Sequence, residues 1–144
     1  MKIEIKKLRP GAELPTRGSA YAAGYDLRAC IDAPVVIAPG ETKMVGTGLS
    51  VAVPVGYFGA VFARSGLASK QGLRPANCVG VCDSDYRGEY TVALHNDSAE
   101  PRTVQNGDRI AQLVVIPCLD LEFDEASELS ATARGAGGFG STGR

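Results

Sequence analysis

Ile110-Ala111-Gln112-Leu113-Val114-Val115-Ile116 is an almost continuous apolar run, rich in Val and Ile and interrupted only by Gln112. The same signal recurs along the chain in both directions from it. Tyr90, Val92 and Leu94 alternate with Thr91 and His95, and residues 57–62 form another short run. Leu49, Val51 and Val53 alternate with Ser50 and Ala52, while Val35-Val36-Ile37 lies between Pro34 and Pro39-Gly40. Eighteen glycines and eight prolines punctuate the chain every few residues. Short Val- and Ile-rich runs between such breakers are spaced as the strands of a sandwich or barrel. No long amphipathic period occurs, so the fold is read as all-β. One short helix is predicted over residues 65–71, two turns with Ser65 as N-cap and Gly72 as terminator. A further single turn is expected over residues 125–129.

The 144 residues suit one domain, spanning 1–144. Lys and Arg total 15 against 16 Asp and Glu, a net charge of −1, which argues against a partner that is duplex nucleic acid. A few local arginines would still suffice for a small anion. No apolar run approaches the roughly 20 residues that a spanning helix needs. The start, Met1-Lys2-Ile3-Glu4-Ile5, alternates apolar and charged residues and lacks a signal-peptide core. A cytoplasmic chain without a membrane partner is expected. Cys30, Cys78, Cys82 and Cys118 fit reduced thiols, read as small apolar packing.

From Arg134 the character changes. Gly135, Gly137, Gly138, Gly140 and Gly143 dominate the last eleven residues, 134–144, which predicts a mobile tail. That tail also carries Arg134, Phe139, Ser141, Thr142 and Arg144, an unusual set for a passive linker. Its stretch Gly135-Ala136-Gly137-Gly138-Phe139-Gly140 matches the dinucleotide fingerprint G-x-G-x-x-G. That fingerprint works only ahead of a helix, and too little chain follows for one.

Five segments carry candidate chemistry. In order they are Ala23-Gly24-Tyr25-Asp26-Leu27, Arg64-Ser65-Gly66-Leu67-Ala68, and Gly80-Val81-Cys82-Asp83-Ser84-Asp85-Tyr86-Arg87-Gly88-Glu89. Gly107-Asp108-Arg109-Ile110-Ala111-Gln112-Leu113 is the fourth, and the fifth runs from Arg134 to Gly143. Asp26 closely follows the small residues Ala23 and Gly24, which predicts a carboxylate presented on a loop. Arg64-Ser65-Gly66 opens the short helix, whose free N–H groups suit a phosphate. Asp83 could act as a base toward water, and Asp85 reads as a turn residue or ion-pair partner. Gln112 on local grounds is an outward-facing polar residue, and His95 a plain strand residue.

Together, in this order and over nearly the whole chain, the five segments resemble the motifs of the trimeric dUTPase family. Two positions depart from it. Cys82 stands where the family tends to have a larger aliphatic, and Ala63 precedes the second motif where Pro is frequent. Neither removes a functional group.

The resemblance implies a dUTPase-like, jelly-roll-like β-sandwich or barrel with a Gly-rich C-terminal tail. It implies hydrolysis of dUTP to dUMP and pyrophosphate by water attack on the α-phosphorus, with Mg²⁺ as cofactor. Such an activity limits uracil incorporation into DNA and supplies dUMP for thymidylate synthesis. Asp83 would be the base, and Gln112 would face the α-phosphate and its attacking water. Arg64, Ser65 and Gly66 would bind the phosphate chain. Asn77, Gly80 and a hairpin over residues 77–86 would enclose the uracil, and Tyr86 would pack beneath the deoxyribose where a 2′-hydroxyl would clash. Arg134, Phe139, Gly140, Ser141 and Thr142 would close over the nucleotide, with Phe139 stacked on the base. Asp26 would reach the triphosphate-bound Mg²⁺ through water, as suits an ion that keeps several of its waters. A homotrimer with three shared sites is implied. One subunit gives Asp26, Arg64, Ser65 and Gln112, a second Asn77, Asp83 and Tyr86, and the third Arg134 and Phe139.

Two other readings compete. The related dCTP deaminases share the fold and use a glutamate in the strand after the Asp-bearing motif; here Ala93 aligns with it. A non-catalytic β-sandwich binding module fits the strand pattern, but gives no reason for Asp26, Asp83, Gln112 and the Arg134 tail to occur together.

Overall fold

The computed structural model describes residues 1–138. Phe139, Gly140, Ser141 and Thr142, expected to complete the tail motif, lie outside the described residues. The strands are β1 (Glu4–Lys7), β2 (Thr16–Arg17), β3 (Tyr25–Arg28), β4 (Val35–Ile37), β5 (Thr42–Gly46), β6 (Leu49–Ala52) and β7 (Tyr57–Phe62). After α1 (Ser65–Gln71) come β8 (Leu73–Pro75), β9 (Val79–Cys82), β10 (Thr91–Asn96), β11 (Arg102–Val104) and β12 (Arg109–Pro117). All ladders are antiparallel: a five-stranded sheet in the order β2-β3-β12-β7-β9, a three-stranded sheet β5-β10-β8, and the pairs β1-β6 and β11-β4.

The apolar run that opened the reading is β12, central in the five-stranded sheet. Residues paired across antiparallel strands share a face, and successive residues alternate between faces. Asp26, Gln112, Phe62 and Val79 are in register across β3, β12, β7 and β9, so they form one row on one face. The neighbouring row, Tyr25, Leu113, Val61 and Gly80, points the other way. That second face is the inner one: Leu27, Ala111, Leu113 and Val61 join Val45, Leu73, Val92 and Leu94 of the three-stranded sheet in one buried cluster. The sheet therefore has a core side and an outer side, and the row that carries Asp26 and Gln112 lies on the outer side.

Several expectations need correction. Asp26 sits in strand β3 rather than on a loop. Residues 77–86 do not form a hairpin: β9 pairs with β7, whereas β8 pairs with β10 in the other sheet. Pro75 ends β8, and Cys78, at φ +61°, turns the chain across to the five-stranded sheet. Arg64, not Ser65, is the N-cap of α1, in extended conformation and without a side-chain cap bond. Gly72 ends the helix in the left-handed region as expected, at φ +68°. Residues 125–129 form no helical turn; residues 118–138 carry no helix or strand. Cys30 is buried, but Cys78 and Cys118 are exposed and so do not serve as core packing. Ser50, which alternates with the apolar residues of β6, is itself buried: β1 pairs with β6, and the Ser50 hydroxyl donates to the Arg87 carbonyl at 2.8 Å. Among the described residues no helix is long and apolar enough to cross a membrane.

Candidate active site

The outer face carries an open cleft of about 530 Å³ between the β3–β12 ladder and α1, lined by Gly24, Asp26, Arg64, Ser65, Gly66 and Gln112 among others. Asp26, with a side chain only 12 % exposed, receives Arg64 Nε at 2.8 Å on one oxygen and Arg109 Nη1 at 3.3 Å on the other. Arg64 is delivered by the turn from β7 into α1. Arg109 is delivered by a register shift between Arg109 and Ala111, a bulge of the kind that re-aims a side chain. Gln112 lies opposite Asp26 in the ladder, and its Nε2 donates to the Ala63 carbonyl at 2.8 Å. Gly24 leaves room for it: a Cβ there would fall on Gln112 Oε1. Ser65 and Gly66 bring first-turn N–H groups, which have no partner inside a helix. With Lys70 the cleft is lined by three cations and one carboxylate. That balance suits a polyanion. Arg109 and Lys70 were missed as site residues; Arg109 lay within the fourth motif, but the bulge that aims it has no sequence signal.

The second concavity, about 240 Å³, opens between the five- and three-stranded sheets. Asn77, Gly80, Asp83 and Tyr86 all line it, so the structure brings these four expected residues together. Gly80 is buried against Val61, and a Cβ there would approach Val61 Cβ to 3.2 Å. Asp83 and Asn77 are exposed. Asp83 opens a tight turn that contains Asp85, closed by the Tyr86 N–H on the Asp83 carbonyl at 3.2 Å and by Arg87 Nη1 on the Ser84 and Tyr86 carbonyls. Tyr90 forms the floor at 2 % exposure, and its hydroxyl has no hydrogen-bond partner among the described residues. Burial, with Cys82 beside it, pushes that hydroxyl up, and burial likewise pushes the Cys82 thiol up. Both groups stay uncharged, and an uncharged floor suits a neutral heterocycle. Ala93, which the sequence reading set against the glutamate of a deaminase, lines this pocket. Glu89, the carboxylate that does line it besides Asp83, is committed to Arg9.

The two concavities share no lining residue and open on opposite faces of one sheet. Arg134 joins neither; its Nε folds back onto the Gly137 carbonyl at 2.7 Å.

A family model described as dUTPase matches residues 11–143. The chain is 50 % identical to the deoxyuridine 5′-triphosphate nucleotidohydrolase of Desulfitobacterium hafniense over 146 residues, covering 99 % of this chain and 97 % of the relative. It is 48 % identical to the protein of that name from Nautilia profundicola, with both chains fully covered. Among solved structures it resembles the Staphylococcus bacteriophage 80alpha dUTPase G164S mutant with dUpNHpp, at a TM-score of 0.87, 29 % identity and 99 % coverage of each chain. The dUTPase from phage phi11 of S. aureus superposes at a TM-score of 0.80 and 25 % identity, over 92 % of this chain and all of that one.

Proposed function

This chain belongs to the dUTPase family, and on that premise we propose that it hydrolyses dUTP to dUMP and pyrophosphate at sites shared between the subunits of a homotrimer. The observation that carries the reading is the division of the two concavities between opposite faces of the five-stranded sheet. The cationic outer cleft suits a triphosphate, and the inner pocket, with its uncharged floor and no cation in its lining, suits a nucleoside. One chain cannot close both over one nucleotide, because its own sheet stands between them. A second copy can present its inner pocket to the first copy's outer cleft.

Two further features support assembly. The outer face of β7, β9 and β12 bears Phe58, Phe62, Val79, Val81, Val114 and Ile116, all at least partly exposed. Strands apolar on both faces are normally covered on both. Beyond β12, Leu119, Leu121 and Phe123 alternate with Asp120, Glu122 and Asp124 in a strand-like pattern that finds no partner within the described residues. By the resemblance to the trimeric dUTPases the proposed copy number is three, with Arg134 and the residues after it supplied by the third subunit. The cytoplasm is the proposed compartment, consistent with four unpaired cysteines.

In the reaction, Arg64, Arg109 and the first-turn N–H groups of α1 bind the phosphate chain. Asn77 and the backbone of β9 read the uracil edge, and Tyr86 packs under the sugar. Asp83 accepts a proton from water as its oxygen attacks the α-phosphorus. The bond from that phosphorus to the bridging oxygen breaks, and pyrophosphate leaves. Gln112 orients the attacked phosphate. The donor set also fits Mg²⁺: Asp26 alone, among three cations, makes no cage for a bare divalent ion but can meet one carried on the triphosphate through water. Bound there, Mg²⁺ would neutralise and orient the phosphate oxygens.

Subunit mixing tests the reading. Arg64→Ala and Asp83→Asn chains should each release little pyrophosphate from dUTP when alone. In mixed trimers, some sites combine an intact cleft from one chain with an intact pocket from the other, and turnover should return. No recovery in verified mixed trimers would show that one chain supplies both halves.

A further inference from the structure

Tyr86 is the residue on which sugar discrimination rests, yet it is 45 % exposed and stands outside any strand. Its position is set by few contacts. The hydroxyl donates to the Glu89 carbonyl at 3.1 Å, and the ring lies so close to Gly88 that a Cβ there would fall on Tyr86 Oη and Cζ. The ring leans on Tyr90 at 6.2 Å between centroids. Where the ring sits therefore follows where the Glu89 backbone sits.

Glu89 also lies outside any strand, and its own side chain anchors it. Oε1 accepts from Arg9 Nη2 and from the Gly48 N–H at 2.7 Å. Arg9 reaches further, donating from Nη1 to the Cys30 carbonyl at 3.0 Å. Gly46 makes the space: a Cβ there would come within 2.5 Å of Glu89 Oε1 and 2.6 Å of Arg9 Nη2. The loop that carries Tyr86 is thus tied by one charge-assisted pair to the segment between β1 and β2 and to the turn between β5 and β6. Such bonds are stronger and more directional than neutral ones.

We propose that the Arg9–Glu89 ion pair positions Tyr86 for discrimination between deoxyribose and ribose. By fixing the Glu89 carbonyl, it holds the Tyr86 ring where a 2′-hydroxyl would collide. Arg9 and Glu89 are positioning residues that act through Tyr86. The proposal rests on the reading of Tyr86 given above.

The test compares kcat/KM for dUTP and UTP in the assembled full-length protein and in Glu89→Ala, Glu89→Gln, Arg9→Lys and Tyr86→Ala. In Glu89→Ala the dUTP-over-UTP ratio should fall about tenfold, roughly the factor a hydrogen bond to a charged group is worth. Glu89→Gln keeps an acceptor for the Gly48 N–H and should restore part of the ratio. Arg9→Lys keeps the charge but cannot fork between Glu89 and the Cys30 carbonyl, and should also lower it. A role confined to folding would reduce both substrates together and leave the ratio alone. Should Glu89→Ala not fold, Glu89→Gln and Arg9→Lys decide by the same ratio. An unchanged ratio in these variants, beside a collapsed ratio in Tyr86→Ala, overturns the inference and leaves the reading of Tyr86 standing. An unchanged ratio in Tyr86→Ala as well overturns both.

Discussion

In the outer cleft the functional side chains are already held by hydrogen bonds: Asp26 by Arg64 and Arg109, Gln112 by the Ala63 carbonyl. In the inner pocket the side chains of Asn77 and Asp83 make no hydrogen bond among the described residues, and both are exposed. The difference matches the tasks proposed for them. Groups that receive a fixed polyanion gain from being set in place beforehand. A carboxylate that must take a proton from water has to remain free to meet that water. One chain thus carries a finished half-site and an unfinished one, and in the shared-site proposal the unfinished half is completed by the cleft of another copy.

The sharpest way to break this contrast is Asp83→Asn, which keeps the shape and removes the basicity. We expect kcat to fall about 10²–10⁴-fold, the usual loss for a general base. Calorimetry with a non-hydrolysable dUTP analogue should still show binding. More than half of the turnover retained would end the role of Asp83 as base.

Next in size is Gly24→Ala, aimed at the finished half. The new methyl would meet Gln112 Oε1, and Gln112 Cδ at 3.0 Å and Cβ at 3.2 Å, so the amide must leave its bond to Ala63. A displacement on the scale of 1 Å can cost about 10²-fold in rate. We expect kcat to drop by about that factor, read by single-turnover kinetics, with the fold retained. Full activity would mean that the Gln112 geometry does not matter.

The smallest effect concerns stability and sets the two carboxylates side by side. Asp26→Asn leaves Arg64 and Arg109 without their anion, whereas Asp83→Asn removes no side-chain bond. Because Arg109 is half exposed, solvent screens part of the loss. We expect Asp26→Asn to lower unfolding free energy by about 1–2 kcal/mol in urea titration. Asp83→Asn should stay within about 0.5 kcal/mol of the parent, as surface changes usually do. Equal losses would erase the contrast.

Much of the fold was legible because core-facing runs declare themselves. Residues 35–37 and 57–62 are strands with the expected bounds, and β12 extends the opening run by one residue at each end. β5 and β11 escaped, since each buries only one side chain, Val45 and Val104, and shows no alternation to read. The site was legible by kind but less so by placement. Asp26 looked like a loop residue beside Gly24, yet that glycine serves close packing against Gln112 within a ladder. Ser65 looked like a cap, but capping depends on where the helix begins, and here it begins one residue earlier than such a cap requires. Arg109 depended on a bulge, and the supposed hairpin on which sheet β9 joins. Both are settled by non-local pairing, which short stretches of sequence do not encode.

The ribbon of Leu119, Leu121 and Phe123 bears on the life of a chain before it has met another copy. Fresh from the ribosome, the molecule carries this apolar edge exposed to a crowded solution, where such strips invite fibre-like stacking. Asp120, Glu122 and Asp124 occupy the alternate positions. Two such ribbons laid side by side would set carboxylate against carboxylate across the pair, which is unfavourable. The same acidic teeth do not oppose docking on a surface of different charge. The spacing of charges is that of a gatekeeper, one that disfavours the pairing of identical ribbons.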